Sequence, residues 1–333
     1  MQDPVEKKGK GPMGFLLKCG LTILLLGLFL YRTDLARLLS HLKDIAFGTA
    51  LLVVLLSLAG VFVNSVKWFL LLPQYPLLKL FGVNFIGLYY TLLLPGQMTG
   101  EVAKAYRLGR GKRDAEQIAA SVLVDKITGV IGVFAMIAMG LFLSDRSLGT
   151  GMLISAFTGM AVCLAVLVLI RSQEVYRGLS ALLTRLSRRP GRFSRLVAQV
   201  LRMIEAWHSY CRRSGLLLIS AGIGFVYQIV PVFCILLLAR EIGIEVEFAD
   251  WCWVFGVVSL ALFFPITVSG IGIREGTFVG ILGWMGVAME KSLALSFSIF
   301  AFQILLALIG GGIDLSMKDK EEETGFHQAR EKG

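Results

Sequence analysis

The sequence predicts an all-α polytopic membrane protein, and its composition, its apolar runs and its loop charges all support this fold class. Hydrophobic residues make up 56% of the 333 residues and charged residues 17%, whereas soluble domains average about 45–50% and about 25%. The mean hydropathy is +0.75. This composition excludes a disordered chain and a collagen, and the five scattered cysteines do not suggest a disulfide scaffold.

Six apolar runs are long enough to cross a bilayer at about 20 residues per span. These runs are 13–31, 45–72, 118–143, 150–170, 214–239 and 292–313. The first run lacks the small-x-small pattern of a signal-peptide cleavage site, so we expect it to remain as a helix. Three shorter or differently placed runs need a separate explanation; they are 77–94, 251–264 and 276–289.

Loop charges predict the orientation, because the cytoplasmic loops of membrane proteins carry an excess of Lys and Arg. Segment 171–213 holds ten Arg against two Glu, and segment 104–117 holds five basic residues. We expect both in the cytoplasm, together with the tails 1–12 and 316–333. Loop 241–250 carries three Glu and one Asp without Lys or Arg, so we expect it outside. This is the topology of a multi-pass protein of the inner (cytoplasmic) membrane.

A re-entrant hairpin is predicted where two cytoplasmic segments flank a single apolar run. Run 77–94 starts inside in this topology, and segment 104–117 is inside as well. About nine residues separate the two, which is too few for another span. We therefore expect the chain to turn back near Pro95.

A second hairpin, entering from the outside, is predicted after the acidic loop. Runs 251–264 and 276–289 would each be roughly 21 Å long as helices, short of a hydrocarbon core about 30 Å thick. The expected break near Pro265 resembles the first, since both read apolar-Pro-x-x-x-[Ser/Thr]-Gly. Opposed broken helices are typical of inverted-repeat transporters, whose site lies at the repeat interface.

The predicted breaks are followed by four charged residues, which are the main candidates for a binding site. A charge near the bilayer centre costs about 2.5–3.5 kcal/mol on insertion scales, so it tends to face a partner or a wet cavity. Backbone N–H groups freed at a break can hold an anion, as helix starts do. The candidates are Glu101, Lys104, Arg274 and Glu275, framed by Pro95, Gly100, Pro265, Gly270 and Gly272. The alternative is that both charge pairs are structural and close the hairpins.

Charged residues inside two of the long runs complete the candidate set. Asp125 and Lys126 lie about two turns into run 118–143, where they could serve the site or where Lys126 could snorkel to the interface. Asn64 and Lys67 lie one turn apart near the inner end of run 45–72. For Lys67 we expect snorkelling.

Segment 171–213 is interpreted as amphipathic helices on the anionic inner leaflet. Apolar residues recur in it at helical spacing and Arg residues occupy the other face, a pattern typical of interfacial helices. We expect no nucleic-acid partner, since nothing beyond charge supports one. The three His are dispersed, so no metal or other cofactor is expected either.

Three motifs together resemble one known family, the flippase-like membrane region of the lysylphosphatidylglycerol synthases. That region is the N-terminal half of the multiple peptide resistance factor, and the resemblance covers residues 13–315. This sequence departs from the usual family pattern at three places. It has Ser269 where the family usually has Gly, Lys104 where it has Arg, and Asp125-Lys126 where it has Glu-Arg. The motifs are Leu94-Pro95-Gly96-x-x-x-Gly100-Glu101-x-x-Lys104, Ser121-Val122-x-x-Asp125-Lys126 and Pro265-x-x-x-Ser269-Gly270-Ile271-Gly272-Ile273-Arg274-Glu275.

The resemblance implies movement of an anionic or aminoacylated lipid between leaflets. We therefore expect Arg274 and Lys104 to hold a phosphate head group, and Glu101 and Glu275 to orient them or carry a proton. The family's soluble aminoacyl-transferase half is missing from this sequence, so lipid lysylation is not expected. Two alternatives stay open: a non-transporting scaffold for lipid or glycan synthesis, and a membrane-embedded transferase acting on polyprenyl phosphates. A homo-oligomer is also open.

Overall fold

A computed structural model describes residues 34–94, 98–110, 114–145, 192–264 and 267–331, together with isolated positions in 20–31 and 151–181. Within 192–199 and 318–331 it describes the backbone alone. The regular secondary structure of these described residues is helical, with no β-strand. The all-α prediction is confirmed.

The helices with defined bounds alternate between long apolar rods and shorter segments. In chain order they are α1 (Leu35–Lys43), α2 (Phe47–Leu71), α3 (Leu77–Leu93), α4 (Met98–Gly109), α5 (Ala115–Leu143), α6 (Arg192–Cys211), α7 (Ser214–Glu241), α8 (Phe248–Phe263), α9 (Ile273–Trp284) and α10 (Met289–Glu331).

Four helices are long and apolar enough to cross a membrane: α2, α5, α7 and the Met289–Met317 part of α10. Helices α3 and α8 are apolar but shorter. The predicted spans at 13–31 and 150–170 fall largely outside the described residues, so the total of six spans stays a prediction. The chain is thus a polytopic membrane protein by the length and composition of these helices.

Several helix ends meet at one end of the bundle, here called the first end. The Tyr75 hydroxyl, between α2 and α3, donates a hydrogen bond of 2.8 Å to Asp114, which precedes α5. Burial and this carboxylate raise the pKa of Tyr75 to about 12, so the hydroxyl remains a donor at neutral pH. The Tyr210 hydroxyl of α6 donates to the Leu71 carbonyl at 2.8 Å. Consequently α3 begins, and α4 ends, at the same end of the bundle.

The opposite, second end collects the remaining helix ends. Ser144, after α5, donates to Asp250 of α8 at 2.7 Å, and Lys291 of α10 donates to the carbonyl of Gly243, after α7, at 2.7 Å. Helix α8 therefore runs inward from the second end, and α9 returns toward it. The pairs α3–α4 and α8–α9 thus form two oppositely directed helical hairpins.

The turn between α8 and α9 reaches the end of α3. Ser269, Gly270 and Gly272 have φ of 54°, 74° and 91°, and the left-handed region is accessible to Gly without the steric cost that other residues pay. This turn brings the Ser269 hydroxyl to the Leu92 carbonyl at the end of α3, to which it donates a hydrogen bond. The turn of the second hairpin therefore contacts the end of α3 in the first hairpin.

Glycines allow the helices to pack at short distance. A Cβ on Gly140 of α5 would lie 2.6 Å from the Ala249 carbonyl oxygen of α8, and one on Gly310 of α10 would overlap the Phe85 carbonyl of α3. Small residues at such crossings are typical of membrane helix interfaces, where backbones approach closely. These two glycines let α5 pack closely against α8 and α10 pack closely against α3.

The C-terminal half of helix α6 packs against the helix bundle. Tyr210 is buried and, together with Met203 and Trp207, packs in a cluster with Trp68 and Ile118. These side chains of α6 therefore have apolar partners within the protein. Residues 182–191 lie outside the described residues, and leaflet binding by the basic segment stays a prediction.

Candidate functional site

A cluster of charged side chains lies inside the bundle between α2, α4 and α5; we call it the polar cluster and define it as Lys67, Glu101, Lys104, Asp125 and Lys126. The Lys67 ammonium is 3.0 Å from Asp125 Oδ1 and also donates to the Asp125 carbonyl at 2.9 Å. Its side chain is 2% exposed. The expectation that Lys67 snorkels is wrong, because a buried carboxylate on α5 holds its ammonium inside.

Lys104 is the second buried cation of the polar cluster. Its ammonium lies 2.6 Å from Glu101 Oε2 and 4.0 Å from Asp125 Oδ2, and donates to Asn84 Oδ1 of α3 at 3.1 Å. The ring of Trp68 lies 5.1 Å from it. The predicted Glu101–Lys104 pair is therefore formed, and it is joined to Asp125 as the sequence alone did not indicate.

Lys126 differs from the other two lysines because it has no ion-pair partner among the described residues. Its ammonium lies 4.7 Å from the centre of the Phe263 ring at the end of α8. It lines an internal cavity of about 120 Å³ with Asn64, Glu101 and Gln228. With three lysines against two carboxylates, the polar cluster carries one net positive charge when all five are ionised.

Lys126 also lines a second space, which is apolar. This groove of about 270 Å³ is formed with Met98 at the start of α4, Ile127 of α5 and Phe263 of α8. One ammonium group thus stands between a polar interior cavity and an apolar groove at the tips of both hairpins. Such a position is suited to an amphiphile whose charged and apolar parts separate at this lysine.

Tyr227 of α7 separates the polar cluster from a third cavity. It lines the 120 Å³ cavity and also a cavity of about 220 Å³ that is bordered by Arg274 and Gln303. Pro231 follows four residues later inside α7 and lacks the N–H that would bond the Tyr227 carbonyl. Sequence reasoning missed Tyr227, for which a proline inside an apolar run was the available signal.

Arg274 and Glu275 form a second cluster with α10 that we call the paired cluster. Arg274 Nη2 lies 2.7 Å from Glu275 Oε1, Nε donates to Ser296 at 2.9 Å, and Nη1 donates to Gln303 at 3.0 Å. The residue is 2% exposed and Glu275 is 0% exposed. All three guanidinium nitrogens therefore have protein partners, as a structural ion pair requires.

Three backbone donors of the second break are also occupied. The Gly272 N–H donates to Glu275 Oε2 at 2.5 Å, and the Ile271 and Arg274 N–H groups donate to the carbonyls of Val268 and Gly270 at 3.0 Å each. These three N–H groups are thus used within the turn, where the Glu275 side chain reaches back to cap α9.

The remaining predicted residues have identifiable positions. Gly100 lies against α3, where a Cβ would overlap Thr91 Oγ1 and the Gly87 carbonyl, so it serves close packing of the first hairpin. No contact joins Arg274 to Lys104 within the described part of the chain; they belong to separate clusters. Pro95 and Pro265 lie outside the described residues.

A further buried ion pair, between Arg107 and Asp314, was missed by sequence reasoning. Arg107 Nε of α4 donates to Asp314 Oδ1 of α10 at 2.5 Å, and the Tyr90 hydroxyl donates to Asp314 Oδ2 at 3.1 Å. Asp314 follows the apolar run 292–313 directly and resembled a tail residue. The pair fastens the first hairpin to α10.

The comparisons with known proteins agree with the motifs. The family model described as the lysylphosphatidylglycerol synthase TM region matches residues 15–311. No curated protein and no solved structure matches the chain.

Proposed function

Because the chain belongs to the lysylphosphatidylglycerol synthase transmembrane-region family, we propose that it moves an anionic or aminoacylated phospholipid between the leaflets of the inner membrane. The observation that carries this proposal is Lys126, an unpaired ammonium at the boundary between a polar cavity and an apolar groove. A cation without a counter-ion inside a membrane protein is costly unless a ligand or water supplies the missing charge.

The polar cavity suits a phospholipid head group. Lys126 would contact the phosphate, and the side-chain amides of Asn64 and Gln228 border the same space. Glu101 is 20% exposed and borders it too, so its carboxylate could receive the ammonium of an aminoacyl group. Lys67 and Lys104 are paired and would act through their charge rather than by direct contact.

The apolar groove would let the lipid tails remain outside the bundle while the head group enters. Met98, Ile127 and Phe263 form its walls, and they belong to three different helices. With the head group at Lys126 and the acyl chains along this groove, the polar and apolar parts of one lipid would lie on opposite sides of the Lys126 side chain.

Passage toward the other leaflet would go by Tyr227. This side chain lies between the polar cavity and the 220 Å³ cavity at Arg274, and the α7 backbone lacks a helical hydrogen bond there because of Pro231. In this proposal Arg274 and Glu275 are positioning residues. They hold the tip of the second hairpin and do not grip the head group themselves.

We further propose that both hairpins are re-entrant, one from each side, in a topology of six spans with cytoplasmic termini. Helices α3, α4, α8 and α9 are about 26, 18, 24 and 18 Å long at 1.5 Å per residue, all shorter than a hydrocarbon core of about 30 Å. The basic residues of 104–117 favour the cytoplasm for the first end.

The test is lipid movement by the purified protein in liposomes, measured with fluorescent phosphatidylglycerol and its lysylated form. Lys126→Gln should lower the rate tenfold or more, as expected for loss of a charged hydrogen bond worth about 1.5–3 kcal/mol. Lys79→Gln, on the exposed side of α3, is the matched control and should move lipid at the wild-type rate. Absence of movement by the wild type would favour a scaffold instead.

A further inference from the structure

A groove of about 520 Å³ runs along the outer face of the first hairpin, on the side of α4 opposite the polar cluster. It is bordered by Tyr90, Leu94, Met98, Val102, Tyr106 and Arg110, among others. Its volume falls within the range of about 300–1,000 Å³ that is typical of ligand sites. No residue of the polar cluster borders it, and it shares Met98 with the apolar groove at Lys126.

The groove is apolar along its length and charged at one end. Val102 and Tyr106 are 68% and 59% exposed, which leaves their side chains open to an apolar occupant. Arg110 closes the charged end, with its guanidinium carbon 5.8 Å from the Tyr106 ring. It has no ion-pair partner among the described residues, whereas Arg107, one turn earlier, is paired with Asp314.

The length and direction of the groove match one leaflet. Met98 and Arg110 are twelve residues apart, about 18 Å along a helix, and half of a hydrocarbon core is about 15 Å. Arg110 lies at the first end, four residues before the Asp114 carboxylate that binds Tyr75. Arg110 therefore stands at the depth of the lipid phosphates when Met98 stands near the bilayer centre.

We propose that this groove binds one anionic glycerophospholipid of the leaflet at the first end, with an acyl chain along α4 and the phosphate at Arg110. The lipid would brace the outer face of the first hairpin. The site does not depend on the proposed movement of lipid, because none of its charged groups belongs to the polar cluster.

The experiment titrates the purified full-length protein in detergent with phosphatidylglycerol and follows the thermal unfolding midpoint. The wild type should be stabilised by phosphatidylglycerol, more than by phosphatidylcholine, and unaffected by glycerol phosphate, which has no acyl chain. Arg110→Gln should require about fivefold more phosphatidylglycerol for the same shift, the change expected for one basic residue near an anionic phosphate. Arg212→Gln, an exposed arginine at the same end, is the matched control and should titrate like the wild type.

A second variant tests the apolar part of the site without altering its charge. Val102→Trp should obstruct the groove and weaken the stabilisation at least as much as Arg110→Gln does, whereas Leu218→Trp, on the exposed face of α7, should preserve it. The proposal is overturned if Arg110→Gln titrates like the wild type, or if Arg212→Gln weakens the effect equally. An equal effect of glycerol phosphate would show a bare phosphate site and would also overturn it.

Discussion

Replacing Arg274 with Ala is expected to destabilise the fold strongly, because the paired cluster depends on one guanidinium. The variant loses the contacts to Glu275, Ser296 and Gln303 and leaves a carboxylate that is 0% exposed without its cation. Breaking a buried ion pair by removing one partner costs about 3–5 kcal/mol. We expect a loss of that size in the free energy of unfolding.

A double-mutant cycle separates the pair from the burial of a lone charge. Glu275→Gln alone should also be destabilising, but the double variant Arg274→Met/Glu275→Gln should lose less than the sum of the two, since no buried charge remains. Arg274→Lys keeps the charge but cannot reach three partners with a planar fork. It should lose about 1.5–3 kcal/mol, the value of one charged hydrogen bond.

The assay is denaturant unfolding of the purified protein in mixed micelles, with lipid movement in liposomes measured on the same variants. A structural pair predicts that the loss of stability is large and that any folded Arg274→Lys protein still moves lipid. Wild-type stability of Arg274→Ala together with a complete loss of lipid movement would refute this reasoning. Arg274 would then be a head-group ligand, as the sequence suggested.

Three further predictions follow from the packing and the charges. Gly100→Ala should lower the free energy of unfolding by about 1–3 kcal/mol, because its methyl group would overlap α3. Gly280→Ala, whose methyl group would have nothing within 4 Å, should unfold at the wild-type midpoint. Equal midpoints for the two variants would contradict the close approach of α3 and α4. Lys67→Met should lower the free energy of unfolding in micelles by about 3 kcal/mol, because its partner Asp125 stays buried. Adding Asp125→Asn should restore part of that loss. Wild-type stability of Lys67→Met would argue against the pair. In a cysteine-free background, an impermeant maleimide should label cysteines at Lys112 and Glu245 from opposite sides; labelling of both from one side would disprove the charge-derived orientation.

The sequence predicted the helices well where hydropathy alone sets their extent. Run 77–94 became α3 (Leu77–Leu93), and run 214–239 became α7 (Ser214–Glu241). Helix α4 was not predicted as an apolar run because its three charged residues lower its mean hydropathy. In the folded chain these side chains face the interior of the bundle or lie near an end of α4. Run 276–289 was placed too late, since Gly286 with φ of 87° ends the turn after α9.

The partners of the charged residues could not be predicted, because hydropathy places helices across a membrane but not around one another. Arg107 and Asp314 are 207 residues apart in sequence, and only the packing of α4 against α10 brings them together. Lys67 was assigned to the interface for the same reason. Its position near a helix end favoured snorkelling, and nothing local revealed a carboxylate on α5.

The polar cluster and the paired cluster both include charged residues that follow an apolar-Pro-x-x-x-[Ser/Thr]-Gly motif. They differ in whether all of their cations are paired. In the paired cluster each donor of Arg274 has an acceptor, so a ligand would have to displace bonds already made at 2.7–3.0 Å. In the polar cluster Lys67 and Lys104 are paired, while Lys126 is adjacent in sequence to a paired carboxylate and still has no ion-pair partner in the described chain. A cluster with equal numbers of lysines and carboxylates would cost less free energy to bury. The stability of the fold therefore does not explain the third lysine, Lys126. The head group is therefore expected at Lys126, with Arg274 holding the hairpin tip whose Phe263 ring that lysine contacts.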